Sequence, residues 1–283
     1  MRSRYGISLR NVIHPTDFSR GSDVAFAHAL RIALDGQGQL EILHVDRQPT
    51  RADWGSYPSV RDTLADWKIL PRDARKSDVA KLGVDVSKSA CKGVDTAVGV
   101  LDHIDRRGAD LVVMATHRRE GFDRWMHRSL AETVSNRTSA ASLFIGYGVD
   151  GFVCLETGKV SLNRILIPID ATPDAQPVVD AIDELVKSVC SDDVQVTLLH
   201  IGDPAKMPAL TLPNNEKCRW VWETRVGNVV DGICDYAVEN DSDLIAMTTN
   251  GHDGFLDAIR GSTTERVMHR CQCPVLSVHD NDA

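Results

Sequence analysis

The sequence predicts an α/β protein made of two tandem units, each an open, mostly parallel sheet covered by helices. Three observations predict it: the chain length, an internal repeat, and a regular alternation of apolar strands with amphipathic helices. At 283 residues the chain is too long for one ordinary core and suits two domains of roughly 150 residues each. Its 42% hydrophobic and 25% charged residues are typical of a folded globular protein.

The internal repeat matches segments of the first half to segments of the second half in the same order. The matched segments are 11–17 with 164–170, 43–45 with 199–201, and 109–116 with 242–249. The first strand of each copy ends in Pro-x-Asp, at Asp17 and Asp170. The junction between the copies falls near 147–163, which predicts domains at 1–148 and 160–283.

Helical patterns lie between the matched strands. Apolar residues recur at helical spacing in three stripes: Phe26, Leu30, Ala33 and Leu34; Val178, Ile182, Leu185 and Val189; and Val226, Val229, Val230, Ile233 and Ala237. Alternating strands and helices imply parallel strands with right-handed crossovers. The near-continuous apolar run at 111–114 is typical of a sheet that is covered on both faces.

The two copies differ in their middle segments. The late matches are offset by 133 residues and the earlier match at 43–45 by 156, so the second copy lacks about 23 residues. In the first copy, 61–82 is predicted to carry a helix before a strand around Val84 and Val86. In the second copy, a loop at 202–217 takes that place.

Charge and composition exclude several classes of partner. Forty acidic and 32 basic residues give a formal charge of -8, which disfavours nucleic acids and anionic membranes as partners. Apolar runs fall short of the roughly 18 residues that a membrane span needs, and 1–16 lacks the apolar core of a signal peptide. We therefore expect a cytoplasmic protein. Its seven cysteines are expected to be reduced thiols, and the spacing of Cys271 and Cys273 does not suit a structural zinc site.

The segment after the late strand of the second copy has the features of an anion site. It contains Gly251 and Gly261 and continues into Ser-Thr-Thr-Glu at 262–265, the spacing of a capping box at the start of a helix. Free amides at a helix N-terminus bind phosphate, and the hydroxyls of Ser262 and Thr263 can add hydrogen bonds. A glycine turn with an N-cap and no ligand is the alternative that the loop alone leaves open.

On these residues the chain resembles a tandem universal stress protein of the UspA superfamily over nearly its whole length. The family's nucleotide-binding signature is Gly-x2-Gly-x9-Gly-(Ser/Thr) after the fourth strand, with an Asp at the end of the first strand. In the second copy Thr248 stands in place of the first glycine, while Gly251, Gly261 and Ser262 match the other positions. The resemblance implies the universal stress protein fold, with two Rossmann-like domains.

The resemblance also implies an adenine nucleotide, ATP with or without Mg²⁺, bound mainly by the second copy. The implied contacts are Pro168, Asp170, Ile201, Met247, Thr248, Gly251, Gly261, Ser262 and Thr263. The first copy has Ala115, Arg118 and Arg128 at the three glycine positions. A degenerate site is therefore expected there, formed by Asp17, Val45, Thr116, Arg118, Arg128 and Ser129. No catalytic residue and no metal ligand are assigned.

The closing strands of the two copies, at 142–146 and 275–279, are apolar, and exposed strand edges of that kind invite pairing. In the family such strands often mediate dimers. We expect the two copies to pair about a pseudo-two-fold axis within one chain. A homodimer of whole chains and an anionic ligand or protein partner for the basic segment 117–128 remain open.

Three functions remain open from the sequence: a nucleotide-binding regulator of the stress response, a slow ATP hydrolase, and an interaction scaffold with empty sites. Asp170 and Asp253 are the obvious candidates for the groups that hydrolysis needs. The run 146–151 matches the dinucleotide fingerprint, but no helical pattern follows it, so a flexible linker is predicted. The histidines at 14, 44, 200 and 279 are interpreted as core or strand-end residues rather than ligands.

Overall fold

The protein is described by a computed structural model over residues 9–46, 54–55, 57–93, 95–116, 130–249 and 262–280. In these ranges ten strands alternate with helices. The strands are β1 (Asn11–Pro15), β2 (Gln39–Asp46), β3 (Asp85–Lys92), β4 (Leu111–Thr116), β5 (Ala141–Gly146), β6 (Arg164–Ile169), β7 (Val194–Ile201), β8 (Cys218–Arg225), β9 (Leu244–Thr249) and β10 (Val275–His279). The helices are α1 (Arg20–Asp35), α2 (Val60–Asp66), α3 (Lys76–Ala80), α4 (Thr96–Arg107), α5 (Leu130–Arg137), α6 (Gln176–Val189), α7 (Val229–Glu239) and α8 (Thr263–Arg270).

All ten strands belong to one sheet, in the order β3-β2-β1-β4-β5-β10-β9-β6-β7-β8. Neighbouring strands are parallel except at one place, where β5 and β10 are antiparallel. Successive residues of a strand point to opposite faces, so Val12 packs into one buried cluster and Ile13 into another. The helices therefore cover both faces, and the predicted α/β architecture with two open parallel sheets is confirmed.

The two halves of the sheet meet at the β5–β10 seam. Leu276 lies opposite Leu143, and Val275 lies opposite Phe144. Equivalent strands that pair in antiparallel fashion are related by a local two-fold axis, so the predicted pairing of the copies is confirmed. Helices α1 and α6 also contact each other, which continues the seam into the helical layer.

Two sequence predictions about helices need correction. The predicted helix over 61–82 is split into α2 and α3, because Lys68 takes a left-handed conformation with φ 60° and Pro71 has no N–H to continue a helix. The third apolar stripe begins too early: Val226 is 86% exposed and lies before α7. That helix starts after Asn228, whose side chain accepts the amide hydrogens of Val230 and Asp231. None of the helices in the described ranges has the length and apolar composition of a membrane span.

The connection between the halves is anchored to the first half near its middle, which the prediction of a flexible linker did not include. Phe152 and Val153 are buried, and both of their amide hydrogens are donated to Nε2 of His28, at 2.9 and 3.1 Å. Nδ1 of His28 donates in turn to the carbonyl of Val24 at 2.8 Å. The buried imidazole on α1 thus satisfies backbone groups that would otherwise lack partners.

The expectation that all cysteines are reduced thiols was also wrong. Cys234 on α7 and Cys271 directly after α8 form a disulfide, with their Cα atoms 5.3 Å apart. The two residues are 37 positions apart in sequence, and only the packing of α7 against α8 brings them together. The other five cysteines form no disulfide: Cys91, Cys154, Cys190, Cys218 and Cys273.

We expect five titratable thiols in the chain denatured without reductant and seven after reduction. Opening a bridge across 37 residues is expected to lower the free energy of unfolding by about 2–4 kcal/mol, because the unfolded chain regains conformational entropy. Thiol titration and urea denaturation with and without dithiothreitol measure both. The variant Cys273→Ser, which leaves the bridge intact, is the control, and seven thiols before reduction would contradict the pairing.

Candidate functional site

The sheet order creates two crevices. In each half the chain runs outward from a central strand, β1 or β6, and then returns to the other side of it, to β4 or β9. At such a reversal the connections leave in opposite directions, and ligands of open parallel sheets bind beyond the carboxyl ends of the two strands. We call the space beyond β1 and β4 the first crevice and that beyond β6 and β9 the second crevice.

Equivalent histidines hold the ends of the central strands in both halves. His44 on β2 contacts the carbonyl of Thr16 through Nδ1 at 2.9 Å, and His200 on β7 contacts the carbonyl of Ile169 at 3.2 Å. These carbonyls directly precede Asp17 and Asp170. As the sequence predicted, these histidines bond strand-end backbone, and they fix the place where each carboxylate leaves the sheet.

The second crevice brings several predicted residues to one edge of the sheet. Asp170 follows β6 and is exposed, with its own carboxylate accepting the amide hydrogen of Ala171 at 2.8 Å. Met247 and Thr248 lie at the end of the neighbouring β9 and are buried. Among the described residues, Oγ1 of Thr248 has no hydrogen-bond partner. A buried hydroxyl that lacks a partner is costly, so it marks a place where a ligand atom could bond.

The start of α8 has the capping box that the sequence predicted. Oγ of Ser262 accepts the amide hydrogen of Glu265 at 3.1 Å, and the Glu265 carboxylate accepts the amide hydrogen of Ser262 at 2.9 Å. In the part of the chain that the structure describes, no hydrogen bond engages the amides of Thr263 and Thr264. The box therefore satisfies two of the first amides and leaves two at the positive end of the helix dipole.

The remaining predicted contacts have mixed outcomes. Pro168 lies within β6 and is half-buried, and Ile201 ends β7 and is half-buried. Gly251 and Gly261 lie outside the described residues, as do His252 and Asp253. The structure therefore assembles the strand ends and the helix start but does not describe the glycine segment between them.

The loop that replaces the missing middle segment borders the second crevice. The side chain of Gln176, at the start of α6, donates to the carbonyl of Thr211 and accepts its amide hydrogen, both at 2.9 Å. Leu210 and Leu212 pack against the core beside it. This pair of bonds anchors the loop to the first turn of α6.

The first crevice is filled by the protein's own aromatic side chains. Phe18 follows Asp17 with a left-handed φ of 62°, and its ring lies 4.3 Å from His44 between ring centroids. Trp54 and Tyr57 pack edge-on against Phe18, at 5.2 and 5.8 Å. In the second half, Ala171 takes the place of Phe18 and is exposed.

A lysine on the edge strand β3 completes this aromatic cluster. The ammonium group of Lys88 lies 5.1 Å from the ring of Trp54 and 5.4 Å from that of Tyr57, within the range of a cation–π interaction. Burial lowers the pKa of Lys88 and raises that of Tyr57. Sequence reasoning missed the cluster, although the aromatic residues of the extra middle segment were a signal for it.

The other residues of the predicted degenerate site are only partly described. Val45 is buried on β2 and Thr116 ends β4, where its carbonyl accepts the amide hydrogen of Tyr147 at 2.9 Å. Arg118, Arg128 and Ser129 lie outside the described residues, with the rest of the basic segment. Among the described residues, no group of three or more His, Cys, Asp or Glu side chains is placed to hold a metal ion.

The chain is similar to known proteins in both sequence and structure. The model of the universal stress protein family matches residues 8–144 and 210–279. A universal stress protein from Archaeoglobus fulgidus has a similar structure, with a TM-score of 0.65, 17% identity, and coverage of 98% of this chain and 99% of that one. A protein of unknown function from Pseudomonas aeruginosa aligns with a TM-score of 0.62, 12% identity, and coverage of 99% and 96%.

These two structural likenesses show a shared fold over the whole chain. A universal stress protein in complex with cAMP aligns with 49% of this chain and 98% of its own, at 20% identity and a TM-score of 0.35. No curated protein sequence matches the chain.

Proposed function

The chain belongs to the universal stress protein family, and we propose that it binds one adenine nucleotide, ATP, in the second crevice and acts as a nucleotide-dependent regulator of a stress response. The difference between the two crevices carries this proposal. Phe18, Trp54 and Tyr57 occupy the first crevice, whereas Ala171 presents only a methyl group at the equivalent position of the second. An aromatic base therefore fits in the second crevice, whereas in the first crevice the protein's own rings occupy that space.

The polar groups of the second crevice suit the rest of a nucleotide. The exposed carboxylate of Asp170 can accept hydrogen bonds from ribose hydroxyls, which carry donors. Thr248 offers a buried hydroxyl that has no partner among the described residues, and the amides of Thr263 and Thr264 lie in the first turn of α8. Phosphate oxygens are strong acceptors and suit both kinds of donor. Gly251 and Gly261 belong to the proposed site on the resemblance of the sequence alone.

The charge of the second crevice favours a nucleotide that carries Mg²⁺. Asp170, Asp174 and Asp280 lie along this edge, and the amide hydrogen of Asp174 points to the carboxylate of Asp280 at 3.4 Å. Three carboxylates repel a bare triphosphate, and a divalent cation on the phosphates offsets that repulsion.

The proposal divides the chain into two units, residues 1–148 and residues 160–283, and the second unit holds the nucleotide.

Calorimetry with ATP and Mg²⁺ is expected to give one site per chain. The variant Ala171→Phe places in the second crevice the ring that fills the first, and we expect it to abolish binding. Asp170→Asn is expected to weaken the affinity on the order of tenfold, because hydrogen bonds to a charged group contribute about 1.5–3 kcal/mol. Ala171 and Asp170 are both exposed, so neither change should unfold the chain.

The matched control is Asp17→Asn, the same change in the first crevice, which should bind ATP as the wild type does. Two sites per chain would contradict the closure of the first crevice. An Ala171→Phe variant that binds like the wild type would place the nucleotide elsewhere, and a wild type without heat of binding would remove the proposed function.

A further inference from the structure

A cysteine, a histidine and a glutamate from three elements meet in the first half, outside both crevices. Sγ of Cys91 on β3 lies 3.4 Å from Nδ1 of His103 on α4, and Nε2 of His103 lies 2.9 Å from a carboxylate oxygen of Glu41 on β2. His103 and Glu41 have side chains that are 8% and 12% exposed, whereas Cys91 is half-buried on the edge strand. The thiol is therefore the member of the cluster that solvent can reach.

The order of the contacts is that of a proton relay. Cys91 and Glu41 lie at opposite nitrogens of the imidazole, so the three side chains cannot converge on one metal ion. The carboxylate on this side favours the tautomer with the hydrogen on Nε2, which leaves the lone pair of Nδ1 for the thiol. This is the arrangement in which a base takes the proton of a nucleophile and a third group orients the base.

Further contacts fix the carboxylate of Glu41. The hydroxyl of Ser89 donates to it, and Nε of Arg107 lies 3.4 Å from its second oxygen. Burial by itself would raise the pKa of Glu41, but the bond from Ser89 and the neighbouring His103 and Arg107 outweigh it and lower that pKa. Glu41 is thus an anion held in place, able to stabilise a positive charge on His103.

We propose that Cys91 is a reactive thiol that His103 activates for two-electron oxidation by hydrogen peroxide, with Glu41 as a positioning residue. His103 accepts the thiol proton, and the thiolate sulfur attacks one oxygen of the peroxide. The O–O bond breaks, an S–O bond forms, and the departing hydroxide takes the proton from His103 to leave as water. The products are Cys91 sulfenic acid and water; sulfur is oxidised and peroxide is reduced.

Three of the other thiols, those of Cys154, Cys190 and Cys218, have surroundings that disfavour a thiolate. Cys154 is exposed, but its neighbour is the carboxylate of Glu156 at 3.2 Å, which opposes a thiolate. Burial raises the pKa of Cys190 to about 12 and that of Cys218 to about 11, which makes both unreactive. Accessibility alone would select Cys154 for oxidation, whereas the relay selects Cys91.

The two thiols compete within one sample. Hydrogen peroxide is added at pH 7 with dimedone to trap sulfenic acid, and peptide mass spectrometry follows Cys91 and Cys154 separately. We expect Cys91 to be trapped about tenfold faster, because His103 can take the thiol proton as the sulfur attacks, whereas Cys154 lies beside a carboxylate. In His103→Gln the ratio is expected to fall to one or below, and in Glu41→Gln to an intermediate value.

A second measurement separates activation from access. Iodoacetamide labels thiolates, and at pH 10 ordinary thiols ionise without a base. Wild type and His103→Gln should therefore label Cys91 at different rates at pH 7 and at equal rates at pH 10. The charged or titratable groups around the thiol in this test are Glu41 from β2 and His103 and Arg107 from α4.

Circular dichroism reports in every variant whether the chain is still folded, and the labelling rate of the exposed Cys154 corrects for the activity of the reagent. Preferential trapping of Cys154 in the wild type would overturn the proposal. A ratio that is the same in wild type and His103→Gln at pH 7 would also overturn it, as would a difference between these proteins that persists at pH 10.

Discussion

Lowering the pH from 6.5 to 4 is expected to remove several kcal/mol from the free energy of unfolding. Burial lowers the pKa of His14 and of His28 from 6.5 to about 4, because a charged imidazole loses its hydration in the core. In this window the unfolded chain binds protons that the folded chain excludes. The stabilisation is therefore complete above pH 6.5 and is lost as the pH falls to about 4. Each histidine accounts for roughly 3 kcal/mol, at about 1.4 kcal/mol per pKa unit.

Urea denaturation at a series of pH values measures this loss of stability. The variant His28→Gln removes one of the two buried histidines and so shows which half of the loss comes from His28. The amide oxygen of glutamine can still accept the hydrogens of Phe152 and Val153 but does not titrate in this range. Any cost of the substitution itself shows at pH 8, where the wild-type imidazole is neutral. Below pH 6.5 the free energy of unfolding of the variant should fall less steeply with pH, because its unfolding takes up about one proton fewer. Equal slopes for the two proteins would contradict the assignment to His28.

Placing a charge in the β5–β10 seam is expected to have a similarly large effect. Leu276 is 4% exposed and lies opposite Leu143, with apolar neighbours on the α1 and α6 side. The change Leu276→Asp buries a carboxylate without a cation beside it, and we expect it to cost about 5 kcal/mol or more. The milder Leu276→Ala, which leaves a cavity, is expected to cost about 2–5 kcal/mol.

The matched control is Val238→Asp, which adds the same charge at a position on α7 that is 65% exposed. This change should alter the free energy of unfolding by less than about 0.5 kcal/mol. Chemical denaturation followed by circular dichroism measures all three variants. If Leu276→Asp were as stable as the control, the seam would not be the shared core of the two halves.

Most strands could be predicted from the sequence because their signals are local. The repeat located β1, β2 and β4 together with their counterparts, and the apolar runs at 141–146 and 275–279 gave the closing strands. The errors lie where a neighbour at a distance decides the outcome. The segment 147–163 contains glycines typical of a linker, yet Phe152 and Val153 within it are buried, since a histidine more than 100 positions earlier accepts their amide hydrogens.

The candidate site was predictable in part for the same reason. The capping box at Ser262 and the strand-end position of Asp170 follow from short-range spacing. The closure of the first crevice does not, because Phe18, Trp54 and Tyr57 come from separate segments and no spacing rule relates them.

The sequence by itself determined the two-copy architecture, the strand and helix types and the position of the anion-binding signature, because periodicity and capping act over a few residues. Only the tertiary structure decided that aromatic rings fill the first crevice, that Cys234 meets Cys271 and that Cys91 meets His103. The physical reason is that packing brings together groups that lie far apart in the chain. Such contacts form only when the whole fold buries them, so no local pattern in the sequence predicts them.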